Sequence, residues 1–127
     1  MTIGLLSAPS NLGLRPPAPT SVPGCAKAPE ALREAGLHRR LAGLGAQERG
    51  VVLPGRYADD APPVRSATRL PSSSAAELTG LLAALAPRAV GAQVTVFDPD
   101  LDPDGSHARL LTDILATGLA PLGRDRR

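Results

Sequence analysis

The sequence predicts an α/β fold with a mostly parallel sheet of about three strands and flanking helices. Three observations carry this expectation. Short β-forming runs alternate with helical stretches in the order β-α-β, loop, α-β-α. The first run, "TIGLL", is nearly all apolar, as suits a strand covered on both faces. Leucines at Leu78, Leu81, Leu82 and Leu85 keep the i, i+3, i+4, i+7 spacing of a helix packed on one side.

Each element has a local reason. Residues 2–6 form the first strand, and "SAPSNLGLRPPAPTSVPGCAKA" after it reads as a long Pro/Gly/Ser loop. Pro29 suits the first helical position and Glu30 complements the positive helix end. Ala31, Leu32 and Ala35 supply that helix's apolar face. Gly36 ends it, and Leu37, Leu41 and Leu44 continue in a second short turn. "GVVLP", residues 50–54, is the second strand, and residues 55–73 are an aperiodic loop. Ser74 and Glu77 have capping-box spacing, in which each side chain accepts the other residue's free amide. Pro87 closes that helix, and residues 94–97 form the third strand. Leu110, Leu111, Ile114 and Leu115 mark a last helix that starts at Ser106 and stops around Gly118 and Pro121.

Composition narrows the function classes. A chain of 127 residues favours one domain, with a core of leucine and alanine because Phe and Tyr occur once each and Trp is absent. The net charge is +2, and the basic residues are scattered apart from Arg124, Arg126 and Arg127 in a solvated tail. Without a basic patch or stacking aromatics, nucleic acid is not an expected partner. Cys25 is the sole cysteine, which fits a reducing compartment, and nothing beside it in sequence would activate a thiolate. No signal peptide and no membrane-spanning run is visible, so a soluble cytoplasmic protein is expected.

The stretch "VTVFDPDLDPDG" holds the chemistry-bearing residues. Asp100, Asp102, Asp104 and Gly105 begin like a calcium loop, but its twelfth position is Leu111 where a bidentate Glu is needed. Aspartates solvated near a helix N-terminus, with prolines fixing the turn, are the better reading. His38 is expected to be solvated beside Arg39 and Arg40. His107 lies three residues after Asp104, close enough to share an ion but too few ligands for a selective site.

Two segments resemble the ureohydrolases, the arginase, agmatinase and formimidoylglutamase family. The first holds the turn Pro9-Ser10-Asn11-Leu12-Gly13 and the run "APEALREAGL" from Ala28 to Leu37. The second starts at "SSSAAEL" and includes the turn Pro99-Asp100-Leu101-Asp102. The resemblance implies a remnant of a three-layer α/β/α domain. An N-terminal family segment would cover residues 1–54 and a C-terminal one residues 74–123. Residues 55–73 would be the loop at an internal deletion and 124–127 a basic tail. Family members hydrolyse a guanidino compound such as arginine to urea, using a hydroxide bridging two manganese ions. The cage comes from Gly-Gly-Asp-His, Asp-x-His-x-Asp and Asp-x-Asp-x-x-Asp-Pro motifs, because two hard cations need several carboxylates and imidazoles. The first two are absent here.

The resemblance therefore implies a chain that is inactive alone and carries no manganese. Asp98 and Asp100 are the candidate metal ligands left, as a version of the third motif whose spacing is one residue short. Asp98 is also the candidate substrate-facing acid, although Val96 occupies the acid's usual register. The partners implied are a second copy or an intact family member, met through uncovered sheet edges. A small soluble α/β binding domain of another origin is the alternative.

Overall fold

The computed structural model describes residues 3–10, 21–53, 74–95 and 97–124. Strand β1 (Gly4–Ser7) leads through a 3-10 turn (Gly24–Lys27) into α1 (Ala28–Glu34) and α2 (Leu37–Gly43). Strand β2 (Gln47–Val51), α3 (Ala75–Leu85) and α4 (Ser106–Gly118) follow, with single 3-10 turns at Ala86–Arg88 and Pro99–Leu101. The protein is mixed α/β, as expected. The loop expected at residues 55–73 lies outside the described residues.

Among the described residues the sheet has two strands, where about three were expected. β1 and β2 pair in parallel, with Gln47 N–H donating to Ile3 O at 2.8 Å and Val52 N–H to Ser7 O at 2.8 Å. The pairing register jumps between Leu5 and Ser7, where β2 carries one extra residue. Gly50, at φ 103°, supplies the left-handed conformation such a bulge favours. β2 thus begins three residues earlier than "GVVLP" suggested, because backbone pairing to β1 and not apolar content sets its register. Of the expected third strand, residues 94–97, the described Val94, Thr95 and Phe97 join no ladder. Val94 and Thr95 are exposed with no partner strand, and Val96 is outside the described residues.

Helices carry the core. Leu32 and Leu37, on either side of the α1–α2 corner, pack with Leu115 and Ala116 of α4, flanked by Leu41, Leu82, Phe97, Leu111 and Leu119. Gly36 makes the corner, ending α1 with φ 93° as its position predicted. Gly118 lets α3 lie close on α4, since a Cβ there would stand 2.6 Å from Leu82 Cβ. α3 starts with the anticipated capping box: Glu77 N–H donates to Ser74 Oγ at 3.2 Å, and Ser74 N–H to Glu77 Oε2 at 2.7 Å. Its leucine stripe is only partly used. Leu82 packs against the core, whereas Leu81 and Leu85 are 56% and 60% exposed.

Candidate functional site

The acidic run folds as two tight turns ahead of α4, and each carboxylate meets donors of the protein itself. Asp98 Oδ1 accepts the Asp100 amide at 3.0 Å, which starts the Pro99–Leu101 turn. The same oxygen lies against Gly24, where an added Cβ would fall 1.7 Å from it. Any larger residue at position 24 would push the Gly24–Lys27 turn off the acidic run. Asp100 meets the other end of the same turn and takes the Lys27 ammonium on both oxygens, at 2.7 and 2.8 Å. Asp104 Oδ1 accepts the Ser106 amide at 3.1 Å. Its carboxyl lies below the ordinary range, chiefly because of that backbone bond.

Asp102 is the centre of the arrangement. Its side chain is 2% exposed, and its two oxygens accept the amides of His107 at 3.0 Å and Ala108 at 2.8 Å. Those are free N–H groups of the first turn of α4, so a buried carboxylate there satisfies orphan donors and meets the positive helix end. His107 Nδ1 stands 3.2 Å from the same carboxylate. Burial pushes the Asp102 carboxyl up, but the two amides and the nearby imidazole outweigh it and hold the pKa below normal. The sequence pointed to solvated aspartates, and Asp102 departs from that. The signal lay in its position, four residues ahead of Ser106, within reach of the helix's open amides.

Asp98 and Asp100 face different partners, and His107 turns to Asp102 and not to Asp104. No three of His, Cys, Asp and Glu converge at metal-binding spacing among the described residues. Asp100 and Asp102 have both carboxylate oxygens engaged by the protein's own donors, whereas Asp98 and Asp104 each use one.

A second feature lies beside β1. A cavity of about 410 Å³ is lined by β1 and residues 90–95, with Leu32, Leu37, Phe97 and Leu115 also bordering it. Its few polar groups include Ser7, Cys25 and His38. His38, expected in solvent, has a side chain only 18% exposed, with Nδ1 3.5 Å from Glu48 Oε2. The short α2 lies close to β2, which brings this imidazole under the sheet edge. Arg33 grips the same carboxylate through both of its terminal nitrogens, one of them at 2.9 Å. That hydrogen bonding, with help from His38 and against some desolvation, lowers Glu48 to about 2. The Cys25 thiol is pushed up, first by burial and then by the Asp98 charge. A raised pKa leaves less thiolate, so Cys25 has none of the features of an activated nucleophile.

Comparison of the chain with family models, with curated proteins and with solved structures found no match. Among the described residues no helix is long and apolar enough to cross a membrane.

Proposed function

We propose that the chain is a ureohydrolase-like remnant that does not hydrolyse guanidino compounds on its own. The supporting observation is Asp102: a buried carboxylate in the family-like Pro99-Asp100-Leu101-Asp102 turn caps α4 with both oxygens. Its neighbours are likewise committed to Lys27 and to backbone amides. Manganese-dependent hydrolysis needs several carboxylates converging on a shared water, and two of the four in this run have both oxygens engaged elsewhere. The test is urea release from arginine, agmatine or formiminoglutamate in a manganese-supplemented assay of the purified chain. No turnover is expected. Turnover that disappears in Asp98→Ala or Asp100→Ala would refute the reading.

A second reading gives the chain a task through association, with a second copy or an intact family member. It is favoured by Leu78, Leu81 and Leu85, which stand 36%, 56% and 60% exposed along one side of α3. A contiguous apolar stripe is the kind of surface a partner helix or a second copy can cover. Sedimentation of the chain alone and mixed with an intact ureohydrolase tests it; two species that never co-migrate, with the chain alone a monomer, would remove it.

A further inference from the structure

We infer that the cavity beside β1 binds a small, uncharged, mostly apolar molecule that carries one hydroxyl group, held by the Ser7 side chain. Burial along β1 runs exposed, half-buried, exposed, buried from Gly4 to Ser7, so Leu5 and Ser7 share the covered face. Ser7 is thus a polar residue at a core position of the strand. It is 7% exposed, it borders the cavity, and its Oγ has no hydrogen-bond partner among the described residues. A buried hydroxyl without a partner costs stability, and no described residue takes this one up. A ligand oxygen in the cavity supplies the missing partner.

Other polar groups of the lining have no such need. His38 Nδ1 stands 3.5 Å from Glu48 Oε2, Gln93 and Thr95 are exposed to water, and the Cys25 thiol is a weak donor. One hydrogen-bonding group on an apolar wall is the usual means by which a small-molecule site fixes its ligand. The volume of about 410 Å³ lies within the roughly 300–1,000 Å³ common for such sites.

Charge selects the kind of ligand. No Lys, Arg, Asp or Glu lines the cavity among the described residues. An ion entering it would lose hydration without a counter-charge, so guanidinium and carboxylate groups are poor occupants. Leu32, Leu37 and Leu115 of the core border the cavity, as does Leu44, which is 48% exposed. An apolar body packs on these side chains and takes exposed apolar surface out of water. Guanidino compounds are disfavoured here, so the inference goes beyond the ureohydrolase reading and does not rest on it.

The test follows the amide signals of the full ¹⁵N-labelled chain while thymol, a neutral alkylphenol, is titrated in. Saturable shifts are expected at Leu5, Ser7, Leu37 and Leu115. Cumenesulfonate, an alkylbenzene of similar size with a fixed negative charge, should bind at least about tenfold more weakly. Ser7→Ala removes only the orphaned hydroxyl, so its melting temperature should hold or rise. That variant should bind thymol about three- to tenfold more weakly, the usual net worth of one hydrogen bond. Leu44→Glu, at an exposed position, puts a charge on the lining and should weaken thymol binding by about tenfold or more. The inference is overturned by a lack of saturable shifts, by shifts confined to α3, or by equal binding of cumenesulfonate. Thymol binding left unchanged by Ser7→Ala or by Leu44→Glu, or a lower melting temperature for Ser7→Ala, would overturn it as well.

Discussion

Asp102 shows how one side chain can decide what an acidic run is for. Its carboxylate is ionised more readily than a free one because two amides of α4 and the His107 ring favour the charge. A depressed folded-state pKa contributes stability above the unfolded value of about 3.9, and that contribution is lost as pH falls through the folded value. Asp102→Asn should therefore lower the urea midpoint at pH 7, and the gap from the unaltered chain should close as pH drops below about 4. Equal midpoints at pH 7 would mean that the cap carries no weight. Cys25 gives a second check at this scale. With its thiol pushed up by burial and by Asp98, it should react with a disulfide reagent at pH 8 more slowly than free cysteine. Faster reaction would contradict the surroundings described here.

At the scale of elements, the sequence was most informative where the partners lie within one turn. Ser74 and Glu77 are three residues apart, so their reciprocal bonds follow from spacing alone. Ser74→Ala should cost about 1 kcal/mol in denaturant unfolding, with little change in slope. Gly36 and the start of α4 at Ser106 were legible for the same reason. The third strand was not. Residues 94–97 have β-forming side chains, but a strand also needs a neighbour to pair with, and no local pattern reports whether one is there. The fit of α3 on α4 was hidden as well, since Gly118 looked like a helix terminator and proved also to be a contact point. Gly118→Val should destabilise the chain by about 1–3 kcal/mol through overpacking against Leu82, read as a lower melting temperature.

Among the described residues, a leucine and alanine core holds four helices together, and no strand pairs with β1 on the side away from β2. The Arg33–Glu48–His38 cluster ties α1 and α2 to β2 at the other edge. Glu48 is held near 2, so this tie is intact above the ordinary glutamate range and fails as pH falls towards that value. The candidate ligands Asp98 and Asp100 were visible in the sequence as residue types. Their partners were not, because these are Lys27, 73 residues before Asp100, and the close approach of Gly24 to Asp98. The engagement of Asp100 and Asp102 by those donors underlies the proposed lack of hydrolysis. It is tested most directly by titrating Mn²⁺ into the ¹⁵N-labelled chain and following the amides of residues 98–108. Those signals should keep their linewidths at two equivalents of metal. Stoichiometric paramagnetic broadening centred on Asp98, Asp100 and His107 would show instead that these side chains do close around manganese.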